Sequence, residues 1–212
     1  MSVKIVCISD THGLHWNLTV PDGDILIHAG DVRLHGAFED LYDFNKYLGS
    51  LPHPHKIVIA GNHDFCFERD SQTCAALLTN CIYLQDQAVT IQGIKFYGSP
   101  WQPWFCDWAF NLRRGAEIKQ KWDVIPQDTD VLITHGPPHG QGDRTFGNVL
   151  VGCQDLLETV ERIKPTLHVF GHIHEGFGTT VTKQTAFINA SSCNLRYKPV
   201  NPPVIYEYRL FR

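Results

Sequence analysis

The chain has 212 residues, 43% of them hydrophobic and 19% charged, with a formal net charge of −4. A charged fraction below the roughly 25% of soluble domains puts much of the chain in an interior, and the length suits one substantial domain, residues 1–212. The acidic balance, with no basic cluster longer than Arg113-Arg114, argues against a partner as long and charged as DNA or RNA and favours a small substrate. Seven scattered cysteines, an odd number without a Cys-x-x-Cys pair, suit neither a disulfide framework nor a zinc knuckle. A first strand beginning at Val3 leaves no room for a signal peptide, and no apolar stretch reaches the roughly 18 residues of a membrane helix. The expectation is a reduced, soluble, cytoplasmic protein with no membrane partner. Twelve histidines against one methionine are the oddest feature of the composition.

Val3–Ile8 reads as a buried strand that runs into Ser9-Asp10-Thr11-His12-Gly13. After the turn Pro21-Asp22-Gly23-Asp24, a second strand, Ile25–Ala29, ends in Gly30-Asp31. Helical spacing of positions 38, 41, 44, 48 and 51 predicts a helix from Phe38 to Leu51, stopped by Pro52 and Pro54. The β-branched run Lys56–Ala60 ends in Gly61-Asn62-His63-Asp64. A helix is expected over Ser71–Asn80, then a hairpin of Ala88–Ile91 and Ile94–Tyr97, then an aromatic loop, 98–108, with three of the five tryptophans. A helix from about Leu112 to Trp122 leads to the strand Asp130–Thr134, which ends at His135. The glycine-rich loop 136–148 is long enough for a lid. A helix over Gln154–Lys164 and a strand over Thr166–Phe170 deliver Gly171-His172-Ile173-His174, and Thr185–Ala190 and Val204–Phe211 read as late strands. Strands alternating with helices place the chain in the α/β class, or α+β in some schemes.

Five strand ends therefore present Asp10 and His12, Asp31, Asn62-His63-Asp64, His135, and His172 and His174. The carboxyl edge of a sheet is where open α/β folds bind ligands. Carboxylate, imidazole and amide donors without cysteine suit divalent manganese, iron or zinc. Seven candidate ligands exceed the roughly three that a catalytic zinc takes, but fit two ions about 3.5–4 Å apart sharing a carboxylate. Asp-x-His and His-x-His spacing lets each pair leave an extended chain on one side.

In order and complete, Asp10-Thr11-His12, Gly30-Asp31, Gly61-Asn62-His63-Asp64, Thr134-His135-Gly136 and Gly171-His172-Ile173-His174 resemble the signature of the calcineurin-like metallophosphoesterases. Gly98-Ser99-Pro100-Trp101, Trp108-Ala109-Phe110-Asn111, Gly136-Pro137-Pro138 with Gly140 and Gly142-Asp143, and Asn189-Ala190-Ser191 with Asn194 resemble one branch, the metallophosphoesterase-domain-containing (UPF0046-type) phosphodiesterases. The resemblance implies a four-layer α/β/β/α sandwich. It implies one divalent metal ion on Asp10, His12, Asp31 and His174, and a second on Asp31, Asn62, His135 and His172. A hydroxide between the two ions would then attack phosphorus, with His63 as general acid and Asp64 orienting the His63 ring through a hydrogen bond. The expected activity is hydrolysis of small phosphoesters, phosphodiesters and nucleotides among them. The rivals are a phosphomonoesterase, a nuclease on short nucleic acid, and a non-catalytic scaffold with the same fold.

Other residues carry weaker expectations. His28 and His168, inside strands, read as packed core histidines, and His15, His35, His53 and His55 as surface ones. The tryptophan loop either plugs the sheet edge or stacks Trp101 or Trp104 on a nucleobase. Asn111, His139, Asp143 and Arg144 are candidates to orient such a ligand.

Overall fold

The structure is a computed structural model that describes residues 2–33 and 38–210; His35 lies outside the described residues. In chain order the elements are β1 (Ser2–Ile8), β2 (Ile25–Ala29), α1 (Phe38–Ser50), β3 (His55–Ile59), α2 (Phe65–Arg69), α3 (Ser71–Leu77), β4 (Ile82–Tyr83), β5 (Gln87–Ile91) and β6 (Ile94–Ser99). There follow β7 (Gln102–Pro103), β8 (Asn111–Leu112), α4 (Ala116–Asp123), β9 (Val131–Thr134), α5 (Gln154–Ile163), β10 (Leu167–Phe170), β11 (Gly178–Val181), β12 (Ala186–Asn189) and β13 (Val204–Arg209).

Two mixed sheets form the centre, one ordered β13-β1-β2-β3-β4 and the other β11-β12-β10-β9-β6-β5. Alternation along each strand decides what each face meets. On β1, Val3, Ile5 and Cys7 point between the sheets, where they join Ile27, Ile57, Phe96, Ile133 and Val169 in a dry inter-sheet core. Val6 and Ile8 point the other way, onto Leu41, Phe44 and Leu48 of α1 and Phe67 of α2. The second sheet repeats the arrangement: Leu132, Phe170 and Phe187 cover Ile118 and Trp122 of α4 and Leu156 and Val160 of α5. Strands buried on both faces call for apolar side chains on each, which is why β1, β2 and β9 read as near-continuous apolar runs. The result is a four-layer α/β/β/α sandwich.

Several boundaries differ from expectation for local reasons. The helix expected over 71–80 ends at Leu77, and a separate turn of helix, α2, precedes it. Asp70 divides the two, its Oδ1 accepting a 3.0 Å bond from Thr73 N as an N-cap. The helix expected from Leu112 starts only at Ala116, because Gly115 sits at φ +83° and Asn111–Leu112 pair with Gln102–Pro103 instead. β11, not expected, pairs antiparallel with β12.

The strands β1, β2 and β3 run parallel, as do β6, β9, β10 and β12, so their carboxyl ends collect at one edge of each sheet. The two edges are joined there. Ser9, just past β1, forms a parallel bridge with Ser191, just past β12, and Ser192 N donates to Ser9 O at 2.8 Å.

Candidate metal centre

Each donor sits on a turn that its strand delivers to this edge, and four of them adopt the left-handed backbone that L-residues avoid: Asp10 (φ 51°), His12 (46°), Asp31 (53°) and His172 (66°). Strain concentrated in this way persists only where the surroundings over-determine it. Here the strand ends hold one another. Asp10 N donates to Gly30 O (2.9 Å), His12 N to Asp31 O (3.1 Å) and Gly171 N to His135 O (2.9 Å). The carboxylates take backbone donors across the gap, Asp31 Oδ1 from His63 N (2.8 Å) and both Asp10 oxygens from His172 N (3.1 Å).

The donors converge on one buried spot. His174 Nε2 lies 3.3 Å from Asp10 Oδ1 and 3.2 Å from His12 Nε2; His135 Nε2 lies 3.4 Å from Asp31 Oδ2 and 2.8 Å from Asn62 Oδ1. Ligand atoms of Asp10, His12 and His174, of His12, Asp31 and His63, and of Asp10, Asp31 and His135 form three groups, each within 4.8 Å. His172 lines the same cleft, its ring centroid 5.1 Å from that of His135.

Proton placement tests whether these groups fit a cation. His174 Nδ1 is 3.0 Å from Asn194 O and His135 Nδ1 is 3.0 Å from Ala29 O; carbonyls only accept, so both rings carry a proton on Nδ1 and turn Nε2 inward. Those nitrogens face carboxylate oxygens, another imidazole and the Asn62 oxygen. Acceptors aimed at acceptors in a buried site repel unless a positive charge stands among them, and rings held by a carbonyl at the far nitrogen are typical metal ligands. The donor set fits divalent ions.

The ionisation pattern agrees. Burial resists charge on Asp10, but His174, His135 and His12 hold its carboxyl well below the usual range. Asp31 is likewise held low against burial, chiefly by His135. Burial alone would lower His135 and His174; the Asp31 carboxylate beside the first and Asp10 beside the second raise both to about 9. The pocket thus stabilises positive charge, as a cation's site must. Burial drops His172 to about 3 and keeps it neutral.

His63 faces the cleft with Nε2 3.9 Å from Asp31 Oδ2. Asp64 does not orient it, contrary to expectation. Asp64 Oδ2 accepts from Gly61 N (2.8 Å) and Val32 N (3.2 Å), tying two strand-end loops together, while His63 Nδ1 has no hydrogen-bond partner among the described residues. Burial, then the nearby Asp31, raises the Asp64 carboxyl to about 7.

A cavity of about 400 Å³ opens beside these donors, walled by Trp104, Phe105, Trp108, Leu195 and Tyr197, with Arg114 also on its surface. Of the ligand-orienting candidates, only Trp104 lines it. Trp101 is a wedge in the fold: Nε1 donates to Asp86 Oδ2 at 2.8 Å, and Lys121 Nζ lies 4.2 Å over its ring. Asn111 clamps the aromatic loop, donating to the carbonyls of Phe105 (3.2 Å) and Cys106 (2.8 Å). Asp143 is buried and accepts from Gly140 N (3.0 Å) and Gly152 N (2.9 Å), which closes the glycine-rich loop. His139 stands 3.8 Å from Asp143, outside the cavity lining, and Arg144 bonds Asn148 within the same loop. Turn chemistry uses the polar side chains that might have bound a ligand.

Ser191, Asn194 and Trp108 fall in the branch motifs, but their roles here, and that of Tyr197, have no local signal. Ser191 Oγ donates to Asp10 Oδ2 at 2.9 Å. The Asn194 turn fixes His174 and presents Tyr197, whose ring centroid is 4.7 Å from that of His12. Trp108 packs on His63.

Comparison with known proteins accords with this geometry. The family profile described as "Calcineurin-like phosphoesterase" matches residues 3–176. "Metallophosphoesterase domain-containing protein 1" of Homo sapiens is 46% identical over 229 residues, covering 96% of this chain and 70% of its own. A UPF0046 protein of Caenorhabditis elegans is 43% identical, covering 96% of this chain and 74% of its own. One crystal structure superposes with a TM-score of 0.71 at 16% identity, covering 99% of this chain and all of its own, a likeness of fold. No helix among the described residues is long and apolar enough to cross a membrane. With the family's profile matched from the first strand through His174 and its donor set gathered at one sheet edge, the chain belongs to the calcineurin-like phosphoesterases, a family of metal-dependent phosphoester hydrolases.

Proposed function

We propose that this protein is a phosphodiesterase acting on small phosphoesters, nucleotides among them, with two divalent ions (manganese, iron or zinc) at the strand ends. The convergence of carboxylate, imidazole and amide donors on one buried spot carries the reading. Asp10, His12 and Asp31 each belong to two of the three overlapping donor groups, a sharing that would suit two adjacent ions with Asp31 as a common ligand. Ions bound there supply an activated water and offset the charge that develops on the phosphoryl oxygens.

The chain's own residues do the rest. The buried donors exclude bulk water on one side, and the cleft admits substrate from the other. His63 lines the cleft beside Asp31, which supports its role in protonating the leaving oxygen as its bond to phosphorus breaks. The apolar wall offers Trp104, an exposed indole, as a platform for a planar group such as a nucleobase. Seven unpaired cysteines, five of them buried, favour a reducing, cytoplasmic setting.

The test is His63→Gln assayed on methyl phenyl phosphate, whose basic phenolate needs a proton to leave, with added Mn²⁺ and with metal content measured in parallel. Turnover should fall by roughly 10²–10⁴ with metal content unchanged. Metal loss in the variant or near-normal turnover defeats the assignment. Inactivity of the unaltered protein with every divalent ion would instead favour a non-catalytic scaffold.

A further inference from the structure

An imidazole that must deliver a proton at Nε2 is ordinarily held by a hydrogen bond at Nδ1. Among the described residues His63 has none: its Nδ1 is buried without a partner, and the neighbouring carboxylate, Asp64, turns Oδ2 to Gly61 N and Val32 N and leaves its own buried Oδ1 unpartnered. The His63 ring is nevertheless aimed, with Nε2 toward Asp31. What touches it is aromatic. The Trp108 indole lies 4.1 Å away, centroid to centroid, tilted at 49°; the His12 ring stands edge-on at 4.8 Å, and Tyr197 is more distant at 6.2 Å.

Trp108 is built to keep that place. The next residue's amide, Ala109 N, donates to Asn62 O at 3.0 Å, so the aromatic loop is tied to the same loop that carries His63. Phe110 N donates to Glu68 Oε1 at 2.7 Å, and Ala109 and Phe110 are fully buried. The indole itself stacks on Phe65, 6.3 Å away at 30°. His12 is committed to the donor cluster, which leaves Trp108 as the anchored contact that can resist rotation of the His63 ring.

We infer that Trp108 is the positioning residue for His63, holding its ring by packing where a hydrogen bond would ordinarily do so. This rests on the proposed role of His63 in protonating the leaving oxygen. In that step the P–O bond to the leaving group breaks with its electron pair going to oxygen, and the Nε2 proton passes to that oxygen.

The experiment compares Trp108→Ala and Trp108→Phe, alone and combined with His63→Gln, on aryl methyl phosphates whose leaving phenols become steadily more basic. A nitrophenolate leaves without a proton; a basic phenolate needs one. Trp108→Ala should lose up to about 10²-fold in kcat on the most basic leaving groups, as for a catalytic group displaced by about 1 Å, and little on nitrophenyl esters. Trp108→Phe should recover most of the loss, and Trp108→Ala should add nothing in the His63→Gln background. Metal content should match the parent. In ¹³C-histidine NMR spectra the His63 ring signals, assigned by their absence in His63→Gln, should shift as the indole ring current is lost. An equal loss on all leaving groups, or losses that add in the double variant, overturns the inference and leaves Trp108 as cleft wall. Full activity in His63→Gln removes the underlying reading, and the inference with it. Should Trp108→Ala not fold, Trp108→Leu keeps bulk without the indole and carries the same comparison.

Discussion

Gly61 and Gly171 stand immediately before the donor-bearing residues Asn62 and His172, and neither has room for a methyl group. A Cβ on Gly171 would fall on the Asp10 carboxylate and Ser9 Oγ; one on Gly61 would fall on Asp31 and His135. These glycines are spacers that let carboxylate and backbone share one volume. Gly171→Ala should therefore lose metal binding by calorimetric titration and also lose about 1–3 kcal/mol of stability to overpacking. Ser191 is gentler. Its hydroxyl fixes one Asp10 oxygen, so Ser191→Ala should fold normally and weaken metal affinity by about 10–100-fold, with activity returning at high metal concentration. Asp10, His12, Asp31, Asn62, His135, His172 and His174 were legible in the sequence because a strand followed by a polar residue is a local pattern. Ser191 was not, since its partner lies 181 residues away and no period links them. Asp143 and Asn111 misled because a buried turn and a ligand pocket call for the same side chains.

At the scale of the element, two strands carry a histidine that locks a neighbouring donor loop. In β2, His28 Nε2 meets Thr11 Oγ1 at 2.9 Å, between Asp10 and His12; in β10, His168 Nε2 meets Thr134 Oγ1 at 2.8 Å, beside His135. Thr134 Oγ1 donates onward to Gly136 O at 2.7 Å and Thr11 Oγ1 to Val32 O at 3.3 Å, so each histidine is the donor. Burial pushes both rings down to about 3 and keeps them neutral. The unfolded chain takes up these protons near pH 6.5 and the folded chain only near 3. Their contribution to stability is thus whole above about pH 6.5 and drains away as pH falls from there toward 3. Within that window each should add about 1.4 kcal/mol per pH unit to the slope of unfolding free energy, and His168→Gln should flatten the slope by that amount in urea titrations at several pH values. The histidines were readable as interior from the apolar runs around them. Their threonine partners were not, because each pair forms between neighbouring strands and depends on register.

For the molecule as a whole, the cleft is also a seam. Asp10, His12, Asp31, Asn62 and His63 follow strands of one sheet, and His135, His172 and His174 follow strands of the other. A bound cation would add to the Ser9–Ser191 bridge and the His172–Asp10 bonds that already link the two sheets at this edge, so binding and folding are coupled by mass action. Chelation should lower the Tm of the parent protein, and Asp31→Asn should show a much smaller shift in the same calorimetric scan. Alternating strands and helices made the sandwich legible as a class. The partition into two sheets was less so, because β13, at the far end of the chain, pairs antiparallel with β1 and gives no sign of that partner in its own residues.

That pairing, with the Asn194 carbonyl on His174 and the Ser191 hydroxyl on Asp10, bears on the order of events at the ribosome. A nascent chain that has emerged through Gly176 already carries all seven donors, yet none of the three groups that close over them from behind. It would bring imidazoles and carboxylates into the cell before it brought a binding site. Non-local pairing of this kind is slow to form, so the centre should mature only once Ser191, Asn194 and β13 have emerged and paired, and metal should be captured by the folded site rather than by the donors alone.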